Sequence, residues 1–288
     1  MIVKASTSHF FSNASGYVAF LIFDFDGTIA DTLGAIVRIT NRIAPEYGYS
    51  PTTPEKLKYY QSLSTKEMLK QSEIPLFRLP FLLRRVRREM SAELPSVSLA
   101  PDLAPTLREL SAAGHQLMIM SSNSRKNIDN FLELHGLTDV FDSVQGGVGL
   151  LSKARVLKRI IQKGGLDFSQ VIYVGDETRD VDASNQIGIL MAAVSWGFSS
   201  REALAAQDPA FLIDHPRQLL GAAQTLVNPS WIRREYRAGS ASSRPSATRS
   251  SAKRVSKDSA LPVRSPQSHS LPAKMPPLNL NVPNPEVP

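Results

Sequence analysis

Residues 20–32 read FLIFDFDGTIADT. Phe20–Phe23 are four apolar residues in a row, the length and composition of a fully buried strand. Asp24 and Asp26 follow, two positions apart, and Gly27-Thr28 comes directly after them. Like charges so close cannot both stay ionised unless something neutralises them. A metal ion is the simplest neutraliser, and Gly27 supplies the backbone freedom for a tight turn around it.

Working outward, the same pattern of short apolar runs recurs at VAFLIF (18–23), LMIM (117–120), VIYV (171–174), ILMAAV (189–194) and FLI (211–213). Unbroken apolar runs of this length suit buried parallel strands. Helical stretches separate them. RKNIDNFLELHG ends in a glycine stop, SKARVLKRIIQKGG opens at Ser152 as a cap and closes on two glycines, and RDVDASNQIG ends likewise. Strand–helix alternation predicts an α/β fold with a doubly wound parallel sheet.

Residues 33–99 break the alternation. LGAIVRITNRIAPEYG, TKEMLKQS and LFRLPFLLRRVRREM read as helices, with no clear strand between them. The expected organisation is an N-terminal extension (1–17), an α/β core (18–32 and 100–226), an inserted helical segment (33–99) and a tail (227–288). The tail is rich in Ser, Pro and Arg, and ten of the twenty prolines lie beyond residue 226. Such a composition predicts disorder.

The formal charge is +7, with 33 Lys and Arg residues against 26 Asp and Glu. Ten of the basic residues and three of the acidic ones lie from Val227 on, so residues 1–226 carry 23 of each sign. The folded part is therefore neutral and gives no reason to expect nucleic acid. The basic tail is either an arm for an anionic partner or a passive solubilising extension, and its composition selects no particular partner. With no cysteine, disulfides, thiolate metal sites and a cysteine nucleophile are excluded. Polar residues interrupt the apolar run of the N-terminus, and no stretch approaches the ~20 apolar residues of a membrane span, so a cytoplasmic protein with no membrane partner is expected. The Asn13 sequon is then a chance match.

In open α/β sheets ligands sit beyond the carboxyl ends of the strands. There the polar clusters fall. FLIF runs into Asp24-Phe25-Asp26-Gly27-Thr28, LMIM into Ser121-Ser122-Asn123, and VIYV into Gly175-Asp176-Glu177-Thr178-Arg179-Asp180, while Lys153 opens the helix after GGVGLLS. Singly, each could be a turn, a loop, a solvated lysine or an N-cap. In this order, each just past a strand or opening a helix, they resemble the four motifs of the haloacid dehalogenase (HAD) superfamily of phosphohydrolases. The resemblance spans about residues 18–220, rests most on DFDGT and next on VGDETRD, and points to phosphoglycolate-phosphatase-like members with a helical cap.

The resemblance implies an Mg²⁺-dependent hydrolase of a small phosphorylated metabolite. Asp24 would be the nucleophile, forming an aspartyl phosphate, and Asp26 the general acid and base. Mg²⁺ would be held by the Asp24 carboxylate, the Asp26 main-chain carbonyl and Asp176. Thr28 and Ser121, with Ser122 and nearby amides, would hold phosphoryl oxygens, and Lys153 would neutralise charge. Asp180 would orient the metal's waters or Lys153, or simply cap a helix. Glu177, where small residues are common, would add a further carboxylate or face solvent. RRVRRE (84–89) puts two or three arginines on one helical face, either meeting an acidic substrate group or solvated. Asp26 argues against dehalogenation, and the absence of membrane spans against a P-type pump. A phosphosugar mutase remains an alternative, as does a non-catalytic protein acting through its tail.

Overall fold

The structure, a computed structural model, describes residues 18–75, 77–149 and 152–227. The expected N-terminal extension and basic tail lie outside the described residues, save Val227, which ends the last helix.

Six strands form one parallel sheet in the order β3-β2-β1-β4-β5-β6. They are β1 (Phe20–Phe23), β2 (Gln116–Met120), β3 (Ser143–Gln145), β4 (Val171–Gly175), β5 (Leu190–Val194) and β6 (Phe211–Ile213). Five of them fall on the apolar runs, with β1 beginning two residues later than its run and β2, β4 and β5 each differing by one residue at one end. The exception is β3, a three-residue edge strand reading SVQ, which carries too little apolar character to stand out.

Side-chain alternation divides the sheet into two faces. Leu21, Phe23, Leu117, Ile119, Ile172 and Val174 point to one, where they meet α5 (Leu103–Ala112), α6 (Arg125–Leu134) and α10 (Gln218–Val227). Phe20, Ile22, Val171, Tyr173 and Met191 point to the other, against α7 (Lys153–Gly164), α8 (Thr178–Ile187) and α9 (Arg201–Ala205). Both faces are covered, which explains the unbroken apolar runs. Burying each such Leu, Ile or Phe contributes about 1.5–3 kcal/mol.

Four helices separate β1 from α5: α1 (Leu33–Tyr47), α2 (Pro54–Gln61), α3 (Thr65–Gln71) and α4 (Leu79–Glu93). Ile39 and Ile43 of α1 and Leu82, Val86 and Met90 of α4 recur at helical spacing and are buried together. On their outer side Arg42 meets Glu89 at 2.6 Å and Arg38 meets Glu93 at 2.9 Å. α1 stops at Gly48, whose left-handed φ of 73° a side chain would disfavour.

Helix α7 starts where expected, yet Ser152 does not cap it. Its hydroxyl donates back to the Gly149 carbonyl at 2.8 Å instead.

The topology selects the site. From β1 the chain runs outward through β2 and β3, then returns to place β4 on the other side of β1, pairing Phe23 with Val174. That reversal opens a crevice at the carboxyl ends of β1 and β4, where such sheets bind ligands. DFDGT leaves β1 and GDETRD leaves β4 into this crevice.

Candidate active site

The loop after β1 is organised by Phe25. Its ring packs edge-on against Phe131 at 5.2 Å, and its carbonyl accepts the amides of Ile29 (2.9 Å) and Ala30 (3.0 Å). Phe25 thus turns into the core and gives its two neighbours different surroundings. Asp24, 2% exposed, takes the Phe25 amide on Oδ1 at 2.8 Å and the Lys153 ammonium on Oδ2. Asp26 accepts both its bonds from Asn123 Nδ2, at 3.0 and 3.2 Å. Burial, and then the charge of Asp24, push the Asp26 carboxyl up to about 6, against the pull of Asn123.

Across the crevice Asp176 is fully buried and tightly held. Oδ1 accepts the Thr28 hydroxyl at 2.7 Å, and Oδ2 accepts the Phe198 amide at 2.7 Å. Glycines wall it in: a Cβ on Gly27 or Gly197 would stand 2.2 Å from Asp176 Oδ2. Asp180 contacts both Lys153 and the start of α8, where Glu177 is the N-cap. Oδ1 accepts Lys153 Nζ at 2.5 Å and Oδ2 accepts the Glu177 amide at 3.1 Å, closing the first turn of α8. Glu177 faces inward and pairs with Arg179.

Asp24, Asp176 and Asp180 place carboxylate oxygens within 4.8 Å of one another. Burial, with the charges of Glu177, Asp180 and Asp24, holds the Asp176 carboxyl well above the usual range. Burial likewise raises Asp180 to about 6, against the pull of Lys153. Burial and Arg179 act to lower Lys153, but Asp180, Asp24 and Glu177 outweigh them and keep it a cation. With Glu177 counted, four buried carboxylates face two cations, Lys153 and Arg179. The surplus of negative charge and the all-oxygen donor set suit a divalent hard cation.

Both hydroxyls expected to hold phosphoryl oxygens have partners within the protein: Thr28 donates to Asp176 at 2.7 Å, and Ser121, fully buried, accepts the Asn123 amide at 3.0 Å and keeps its own proton to donate. Ser122, partly exposed and with no hydroxyl partner among the described residues, is the free hydroxyl at this strand end. Nothing in the sequence marks Asn123 as a partner of Asp26, or Gly197 and Phe198 beyond β5 as walls of the site. The last two lie in SWGFSS, which lacks a charged residue to draw attention.

The helical segment touches the core on both sides of the crevice. The Thr65 amide donates to Thr178 Oγ1 at 2.8 Å, the Ser200 amide to the Gln61 carbonyl at 2.7 Å, and Lys66 meets Asp182 at 2.8 Å. Opposite, Asn127 donates to the Arg87 carbonyl at 3.0 Å and accepts the Ser91 hydroxyl at 2.7 Å.

A doubly wound sheet with this carboxylate–lysine cluster at its switch point defines a class of hydrolase, and comparison with known proteins agrees. Residues 21–194 match the family described as haloacid dehalogenase-like hydrolase. A phosphoglycolate phosphatase of Synechococcus elongatus is 39% identical over 207 residues, covering 72% of this chain and 98% of the relative. One from Vibrio cholerae is 26% identical, covering 70% and 96%. A haloacid dehalogenase-like hydrolase of Streptococcus pneumoniae shares the fold with a TM-score of 0.60 at 21% identity, covering 72% of this chain and 98% of that one. The chain belongs to the haloacid dehalogenase-like hydrolase family, as a phosphatase of phosphoglycolate-phosphatase-like type. Among the described residues no helix is long and apolar enough to cross a membrane.

Proposed function

We propose that the chain hydrolyses the phosphomonoester of a small metabolite through a phosphoryl group carried on Asp24, with Mg²⁺ as cofactor. The observation that carries this reading is the unequal treatment of the two aspartates. Asp24 holds the Lys153 ammonium, whereas Asp26 has no bonded cation among the described residues and a carboxyl raised to about 6. Two neighbouring carboxyls in such unlike surroundings suit an acid/base division of labour.

In the first step Asp24 Oδ attacks phosphorus, the bond from phosphorus to the alcohol oxygen breaks, and the Asp26 proton passes to that oxygen. In the second, Asp26, now a carboxylate, takes a proton from water, the water oxygen attacks phosphorus, and the Asp24 carboxylate departs. Lys153 neutralises the nucleophile and the incoming phosphoryl group. Ser122 and the amides around it hold phosphoryl oxygens. Thr28, Asn123 and Asp180 fix Asp176, Asp26 and Lys153 respectively.

Asp24 and Asp176 would hold Mg²⁺ with the Asp26 carbonyl, and Asp180 stands close enough to join them. When bound, the ion supplies Lewis-acid polarisation of the phosphoryl oxygens. Residues 33–99 act as a cap that excludes water and selects substrate, resting on the core through Thr65, Gln61 and Lys66 on one flank and Arg87 and Ser91 on the other. The reaction is placed in the cytoplasm. The name of the Synechococcus relative makes 2-phosphoglycolate the first substrate to try.

The test is phosphate release from a panel of phosphorylated metabolites, 2-phosphoglycolate included, with Mg²⁺ and with a chelator. Metal-dependent turnover is expected. No turnover of any monoester, or equal turnover in the chelator, would overturn the reading.

A further inference from the structure

We infer that Arg87 is the specificity-determining residue of this site, binding a carboxylate carried by the alcohol half of the substrate. The inference rests on the phosphatase reading above, in which Asp26 protonates the leaving oxygen.

The four arginines of RRVRRE have different fates. Arg84 and Arg88 are exposed. Arg85 is spent on Glu46, at 3.2 Å, and on Glu89. Arg87 is half-buried, and its guanidinium bonds to no carboxylate among the described residues. Asp26 is the carboxylate whose charge reaches it, opposing the burial that pushes the guanidinium down.

Its position is fixed through its main chain. The Arg87 carbonyl accepts Asn127 Nδ2 at 3.0 Å, the same Nδ2 donates to Asn123 Oδ1 at 2.9 Å, and Asn123 Nδ2 holds Asp26. One turn further along α4, Ser91 donates to Asn127 Oδ1 at 2.7 Å and fixes the register of the helix. Asn127 is 1% exposed, so this tie is shielded from water. Two asparagine amides thus hold the turn of α4 that bears Arg87 to the carboxyl that acts on the leaving group.

A half-buried guanidinium without a partner is an unfavourable way to leave a charge. A carboxylate relieves it, because the planar fork of Arg matches two oxygens at once. Since Asp26 delivers its proton to the leaving oxygen, the alcohol half of the ester lies on the Asp26 side of the phosphoryl group, toward α4. The substrate class is therefore a phosphorylated hydroxy acid with its carboxylate close to the ester oxygen. An ester of a neutral alcohol leaves Arg87 unpaired and is rejected on that account.

The experiment compares kcat/KM for 2-phosphoglycolate with kcat/KM for ethyl phosphate, which has the same two-carbon skeleton and no carboxylate. Wild type is expected to favour the acid by about 10² or more, the scale at which an unpaired polar group in a site discriminates. Arg87→Met should cut that ratio at least tenfold, mainly through KM for the acid, and Arg87→Lys should fall between, keeping the charge and losing the fork. Circular dichroism checks that each variant is folded, and the lysine variant carries the test should the methionine one not fold. A wild type that turns over both esters equally, or a ratio that neither substitution moves, overturns the assignment of Arg87 and leaves the phosphatase reading standing. A wild type inactive on every monoester overturns that reading first, and the inference with it.

Discussion

Asp176 is held between two glycines, so adding one methyl group should displace it. In Gly27→Ala the new Cβ would lie 2.2 Å from Asp176 Oδ2 and 2.8 Å from its Cγ, at a position whose φ is +77°. Ordinary contact begins near 3.4 Å, so the oxygen must retreat by about 1 Å, giving up its bonds to Thr28 and Phe198. Left-handed strain costs roughly 1–2 kcal/mol, and two weakened buried bonds add about 1 kcal/mol each. The sum is near 3–4 kcal/mol, or ~6–16 °C in Tm for a domain of this size. A carboxylate misplaced by 1 Å should cost on the order of 10² in kcat. Gly188→Ala separates strain from collision, since its φ is +75° and nothing lies within 4 Å of the added Cβ. That variant should lose about 1–2 kcal/mol, ~2–8 °C, and keep kcat within twofold. The assay is kcat at saturating Mg²⁺ beside a thermal melt for both proteins. Gly27→Ala retaining a third or more of wild-type kcat, or both variants losing activity alike, refutes the account of a carboxylate clamped by glycine.

Three further substitutions probe the remaining parts. Asp26→Asn keeps the loop and loses the proton donor, so kcat should drop by about 10² to 10⁴. The loss in the first step should be larger for alkyl than for aryl phosphates, read as burst rates across leaving groups. Asn127→Ala orphans the Arg87 carbonyl and loosens Asn123, and should lower stability by about 1–3 kcal/mol and impair alkyl phosphates more than aryl ones; an effect equal across leaving groups would make Asn127 merely structural. Lys153→Met removes the cation between Asp24 and Asp180 and leaves buried carboxylates facing each other, a loss of about 3–5 kcal/mol in urea melts at neutral pH, which added Mg²⁺ should partly restore.

The fold was legible because burial on both faces writes itself as unbroken apolar runs, and β1, β2, β4, β5 and β6 all announce themselves so. β3 does not, because an edge strand of Ser-Val-Gln can be polar and still complete a ladder with Met118–Met120. At the site, charge was more legible than hydroxyl direction. Asp24, Asp26, Lys153, Asp176 and Asp180 stand out as residues whose burial demands partners, and the structure brings them to one crevice. Thr28 and Ser121 were expected to face a phosphoryl group, and the bond from Thr28 to Asp176, 148 residues away, is one that no local pattern announces. Glycine is similarly silent. Gly197 matters because Asp176 fills the space a side chain would take, a reason visible only once β4 and β5 lie side by side. RRVRRE shows the limit of a helical-face reading, since Arg84 and Arg88 are exposed, Arg85 pairs with Glu46 and Glu89, and Arg87 alone is half-buried without a carboxylate among the described residues.

If Asp24 carries the phosphoryl group during turnover, that group can be captured on it. Enzyme mixed with 2-phosphoglycolate and Mg²⁺, quenched in acid within milliseconds and digested, should yield a peptide heavier by one phosphoryl group. Reduction with borohydride should mark Asp24 as the residue modified. Asp26→Asn should accumulate more of this species than wild type, because water for the second step is no longer activated, and Asp24→Asn should yield none. Turnover by Asp24→Asn, or a phosphoryl group found on any residue other than Asp24, would contradict the account.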